Sequence, residues 1–223
     1  MKLHGPQARV LGRLYQALLQ VFGPQHWWPG ETAFEVMVGA VLTQNTNWKN
    51  VERAIDNLKE HDLLDPHALH RLDEEKLARL VQPSGFYNVK ARRLKALIDW
   101  LIETADGDLT RLRRRSLKRL RRELLAVPGI GPETADSILL YALEKPAFVV
   151  DAYTRRVLLR HGLIDAGATY AETKALFESS LPREVSLLNE YHALLVELGK
   201  RHCQPRPRCR DCPARAVLGE PLR

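Results

Sequence analysis

The stretch 126-AVPGIGPETADSILLYAL-143 decides the fold. A helical pattern runs up to it, and another starts at once behind it. Between them stand two glycines and two prolines, in the order PGIGP. A breaker cluster of this kind ends a helix. Thr134 and Ala135 then lead straight into Ile138, Leu139 and Leu143 of the next one. Two helices joined by so tight a turn form a helix-hairpin-helix. Gly129 and Gly131 allow positive φ and let the backbone approach a neighbour closely. The turn amides and the first N–H groups of the following helix converge on one spot suited to a phosphate. A plain helix stop and restart would read the same way, so the motif needs support from its surroundings.

The preceding residues supply some. Positions 111–122, RLRRRSLKRLRR, carry eight basic residues in twelve. Leu112, Leu117, Leu120 and Leu124 keep one face of this helix for a core. The basic face is either solvated surface or a set of phosphate contacts, and in both cases it adds positive potential. Over the whole chain Lys and Arg exceed Asp and Glu by 34 to 27, a net charge of +7. That balance favours a polyanion as partner.

Helical periodicity dominates elsewhere in the 223 residues. Val10, Leu14, Ala17, Leu18 and Val21 form one stripe; Phe34, Met37, Val38, Val41 and Leu42 form another. Val51, Ala54, Ile55 and Leu58 continue the pattern, as do Leu94, Leu97, Ile98 and Leu101. Strand alternation is almost absent. The expectation is an all-α protein of roughly ten helices. No apolar run approaches the ~20 residues that span a bilayer, and no signal peptide is evident, so a cytoplasmic protein is expected; nothing in the sequence demands more than a monomer. Cys203, Cys209 and Cys212 cluster in the last tenth of the chain. In such a compartment this reads as metal or cluster ligation rather than a disulfide framework.

Several motifs in the same order resemble the endonuclease III superfamily of helix-hairpin-helix DNA glycosylases. They are GAVLTQNT at 39–46, GFYNVKARRL at 85–94, the hairpin with VVDAYTRRV at 149–157, and the terminal C-x5-C-x2-C. HWWP at 26–29, PSGFYNVKA at 83–91 and GIGPETADSILLYA at 129–142 are most similar to the endonuclease-III-like 3-methyladenine DNA glycosylases. The resemblance implies a two-lobed fold with a C-terminal Cys-containing loop. A six-helix domain over 25–135 would carry the hairpin at its end. Residues 1–24 and 136–223 would form the second domain.

The resemblance also implies chemistry. Asp151 takes the position of the catalytic aspartate, which stabilises positive charge on the sugar; Asp before a helix is also a common N-cap, and both roles are compatible. Lyase members carry a Lys two residues after the second hairpin glycine. Here Glu133 stands there, and a carboxylate cannot form an imine. A monofunctional enzyme that uses water is therefore expected, acting on duplex DNA with a damaged base. Trp27, Trp28, Pro29 and Trp48 fall where the 3-methyladenine enzymes build a base pocket, and electron-rich rings suit a cationic purine. Gln44 would enter the gap left by the flipped base. Gly129, Ile130, Gly131, Glu133 and Thr134 would meet the DNA backbone, with a monovalent cation at the hairpin. Lys90 and Arg92 are further phosphate candidates, with Phe86 and Tyr87 packing inward. His192 reads as a core or capping residue.

The terminal loop matches three of four [4Fe–4S] ligands. Leu218 stands at the fourth place, and the first spacing is one residue short. Either a cluster takes a non-Cys ligand, for which His202 is the obvious neighbour, or it is labile or absent. Zinc on three Cys and His202 is a further option. Two other functions fit parts of the pattern: a glycosylase/lyase for oxidised pyrimidines, and a non-catalytic helix-hairpin-helix DNA-binding protein.

Overall fold

A computed structural model describes residues 5–27 and 30–221. Their regular structure is all helical, with no strand among them. The chain divides into two compact units, 1–27 with 146–223, and 28–145. The expected fold class is correct. The division falls later than the sequence suggests, so both hairpin helices stay in the contiguous unit.

The discontinuous unit opens with α1 (Pro6–Phe22). The contiguous unit contains α2 (Ala33–Leu42), α3 (Trp48–Glu60), α4 (Pro66–Arg71), α5 (Glu74–Leu80), α6 (Tyr87–Ala105), α7 (Leu109–Arg113), α8 (Leu117–Ala126) and α9 (Pro132–Ser137). The chain then returns to the first unit with α10 (Ala152–Arg160), α11 (Tyr170–Ser180), α12 (Val185–Arg201) and α13 (Arg215–Leu218). The helices outnumber the roughly ten expected because α4, α5, α7 and α13 are too short to show a period. Side-chain caps start most of them: Thr32, Asn47, Asp65, Asp73, Asp108, Ser116, Asp151 and Thr169 each accept a backbone N–H. Such caps satisfy donors that a helix start leaves orphaned.

In the contiguous unit α2 is buried along nearly its whole length, from Phe34 to Leu42. Val51, Ala54, Ile55 and Leu58 of α3 and Leu94, Leu97, Ile98 and Leu101 of α6 face the same core. The basic run is not one helix. Ser116 caps α8 and breaks it from α7, because its hydroxyl offers the Arg119 amide a partner at 3.4 Å. After α9 the backbone widens into a π-turn over Ile138–Ala142, where Leu143 N–H reaches Ile138 O at 3.0 Å.

In the discontinuous unit the inward face of α1 is Ala8, Leu11, Leu14 and Leu18; Leu14 and Leu18 are buried as expected, while Val10 and Ala17 are only partly buried and Val21 is 59% exposed. Tyr191 of α12 sets that rotation: it is fully buried and its hydroxyl donates to Leu11 O at 2.8 Å. α10 packs on α12 so closely that a Cβ at Gly199 would meet Tyr153 Cδ1 at 2.3 Å. Phe148 stacks on Phe177 at 3.8 Å. The non-helical strap 146–150 is pinned by α11: Glu178 accepts from Phe148 N–H at 2.9 Å and Lys174 Nζ donates to Phe148 O at 3.3 Å. That strap delivers Asp151.

Candidate active site

Asp151 ends the pinned strap and begins α10. Its Oδ1 accepts from the Thr154 amide at 2.7 Å, so the capping role is real. Oδ2 lies 3.7 Å from His192 Nε2, an ion-pair distance that is long for a hydrogen bond. Both side chains are largely buried, 14% and 5% exposed. Burial pushes the Asp151 carboxyl up, but the His192 imidazole and the Thr154 amide outweigh it and hold it below the usual carboxylate range. The group is therefore ionised at neutral pH. Val149 and Val150 beside it are buried. His192 is more than a core residue: Trp27 stacks on it at 5.5 Å and 22°, and Phe148 meets it edge-on at 6.4 Å. An indole thus stacks on an imidazole whose Nε2 faces the carboxylate, all within one unit. Trp28 and Pro29 lie outside the described residues. Trp48, in the other unit, starts α3, packs over Gly39 and donates from Nε1 to Glu52 at 2.9 Å.

The hairpin belongs to the contiguous unit. Gly129 has φ +84°, and a Cβ there would collide with Arg93 Cγ at 2.2 Å, so this position requires glycine. Gly131 is extended and uncrowded. Gly131 is also the N-cap of α9 and supplies no side chain to its amides, unlike Ser116 and Asp151 at the starts of α8 and α10. Gly129, Gly131 and Glu133 are exposed, whereas the side chains of Ile130 and Thr134 are buried. Gln44 is committed to this turn. Its Nε2 donates to Gly129 O at 3.1 Å and to Thr134 Oγ1 at 2.9 Å, and its Oε1 accepts from Arg93 Nη1.

Much of the basic run is tied into the protein. Arg121 grips the fully buried Asp136 through two bonds, 2.9 and 3.1 Å, locking α8 to α9. Arg119 and Arg115 share Glu123, Arg113 holds Ala142 O at 2.9 Å and Glu144, and Arg111 pairs with Asp108. Arg114, Lys118 and Arg122 remain exposed. Lys90 is not a phosphate contact: it is buried and donates to Leu42 O at 2.8 Å and Ser84 O at 2.6 Å. Burial, then the nearby Arg93 charge, lowers its pKa to about 8. Arg92 is exposed and 3.8 Å from Glu74.

Phe86 reverses its expected role. It sits at φ 48° and is 70% exposed, directly after Gly85 at φ +69°. A bulky residue in the left-handed region is strained. Sequence reading placed this ring in the core because aromatics usually go there; the preceding glycine was the available sign of a turn that aims it outward.

The three cysteines are free thiols. All line one narrow pocket of the discontinuous unit, with His161, His202 and Arg160. Among the described residues no three His, Cys, Asp or Glu side chains are placed to hold one metal ion. Burial, then the Arg160 charge, lowers the His161 pKa. Burial raises that of Cys212. The donor set, three thiols and imidazole nitrogen, nevertheless fits an iron–sulfur cluster.

Residues 38–183 match the HhH-GPD superfamily of base excision DNA repair proteins, and the chain belongs to that family. A protein of Methanocaldococcus jannaschii, provisionally named a DNA repair glycosylase, is 49% identical over 206 residues, covering 92% of this chain and 93% of the relative. Endonuclease III of Thermotoga maritima is 33% identical over 180 residues, 80% of this chain and 79% of the relative. Among solved structures, the H. pylori 3-methyladenine DNA glycosylase bound to 1,N6-ethenoadenine has a TM-score of 0.72 and 31% identity, over 88% of this chain and 98% of that one.

Proposed function

We propose that the chain is a monofunctional DNA glycosylase that excises damaged bases from duplex DNA, alkylated 3-methyladenine-type purines foremost. The observation that carries this is Asp151: buried, fixed by a helix start, and ionised. When the N-glycosidic bond breaks, its electron pair leaves with the base and positive charge grows on the deoxyribose. A preorganised carboxylate beside that charge contributes about 3–4 kcal/mol to the transition state. Water then adds at C1′, and its proton passes to the Asp151 carboxylate. Glu133 at the lyase-lysine position supports hydrolysis over imine formation.

Trp27 backed by His192 offers an indole to a cationic base, a contact of about 0.5–2 kcal/mol. Trp28, Pro29 and Trp48 are further candidates for binding the base, on the resemblance of their motifs alone. A cationic base leaves readily, so no strong general acid is demanded. The likeness to a 3-methyladenine enzyme supports this choice. The uncapped start of α9, with Gly129, Ile130, Gly131, Glu133 and Thr134 contributing backbone, takes a phosphate, with or without a monovalent cation. Phe86 acts as the apolar wedge that props open the stack once a base is extruded, and Gln44 supports the hairpin from beside it until DNA draws it away. The enzyme works on nucleoid DNA as a monomer.

The test is base release from methylated DNA against thymine-glycol DNA, for wild type and Asp151→Asn, with borohydride trapping on abasic DNA. Release of methylated purines, abolished in Asp151→Asn and without a trapped adduct, is expected. Preferred release from thymine-glycol DNA with a trapped adduct would instead make the chain an endonuclease-III-type lyase.

A further inference from the structure

The C-terminal loop offers three thiols where a cubane iron–sulfur cluster takes four ligands. Leu218, at the place of a fourth cysteine, has only a hydrocarbon side chain. Another donor must close the set. His202 adjoins Cys203; its Nδ1 faces Arg208 O at 3.2 Å and its ring stacks on Phe22 at 6.0 Å, which leaves Nε2 as its one available donor. His161 lines the same pocket as the thiols, and its Nδ1 is enclosed without a hydrogen-bond partner. Enclosed polar atoms are nearly always partnered, so this nitrogen requires an explanation. A neutral imidazole nitrogen is a common metal ligand.

Zinc draws four donors to within about 2.3 Å of one centre, and no such convergence is present among the described residues. In a cubane each donor binds a different iron, so the donors stand apart around one pocket. Arg160 Nη1 donates to Cys203 Sγ at 3.3 Å, and Arg156 Nε to Cys203 O at 2.5 Å.

The geometry points to His161 Nδ1 as the fourth ligand of an iron–sulfur cluster held by Cys203, Cys209 and Cys212. His161 closes the helix that Asp151 opens. The cluster therefore braces the far end of α10 against the terminal loop, whichever base the enzyme removes.

The full chain is purified anaerobically and reconstituted with ferrous iron and sulfide. About four irons per chain are expected, and pulsed EPR of the reduced protein should show a directly bound nitrogen. His161→Ala should lose the nitrogen coupling and about one iron per chain, with helicity retained by circular dichroism. His202→Ala should keep both. His161→Cys should keep the iron and lose only the nitrogen signal, which separates ligation from folding. Nitrogen coupling that survives in His161→Ala, or vanishes in His202→Ala, overturns the assignment. So does a wild type that binds one zinc, or a folded wild type that retains no iron.

Discussion

Asp151 caps α10, and in the proposed function it also stabilises the sugar cation; one substitution separates the two. Asn caps helices about as well as Asp, so Asp151→Asn should keep its bond to the Thr154 amide and leave the thermal midpoint within a few degrees. Base release should fall about 100-fold or more, the scale of losing one preorganised electrostatic contact. Single-turnover release and a thermal melt, run together, check both halves. The depressed carboxyl also predicts a stability trend. Its contribution is fully present above its unfolded value near pH 4 and is lost as pH falls through the lower folded value. Urea midpoints at successive acid pH values should show a smaller acid loss in Asp151→Asn. Phe86→Ala removes an exposed ring and leaves the left-handed backbone as it is, so stability should hold while affinity for lesion DNA drops; a matching loss of stability would mean the ring packs after all. The aspartate was legible because a family motif frames it. His161 was not, since a histidine after a helix shows nothing until folding sets it among thiols.

The hairpin depends on pairs that cross between helices. Arg121 and Asp136 are the clearest case: removing the arginine takes two charge-assisted bonds from a carboxylate with no exposed surface. Arg121→Ala should cost about 3–5 kcal/mol by urea unfolding, the usual penalty for breaking a buried pair. Gly129→Ala should also destabilise, by strain at φ +84° and by collision with Arg93. The hairpin was legible from PGIGP, as were the cores of α2, α3 and α6 from their periods. The break at Ser116 was not, because the leucines run through it in phase and only the cap hydroxyl marks the stop. In α1, Leu14 and Leu18 were legible but Val10 and Val21 were not, because the valines share the leucines' hydropathy and Tyr191, far along the chain, bonds to Leu11 on the inward side.

At the scale of the molecule, a charge of +7 speaks for a polyanion, but most arginines of the 111–122 run have internal partners. Salt dependence should reveal which do not. Replacing Arg114, Lys118 or Arg122 by Ala should lower the log–log salt slope of DNA binding by about 0.9 for each phosphate contact removed; a slope unchanged by all three would place the DNA elsewhere.

Tyr191 donating to Leu11 has a consequence for synthesis. The unit 28–145 is one uninterrupted segment and can fold while the ribosome is still translating. α1 emerges first, yet its partner helix comes some 170 residues later. Until then its leucines have no core to enter, and chaperones or the growing chain must shelter them. A nascent-chain experiment should find the middle of the protein protease-resistant well before its beginning.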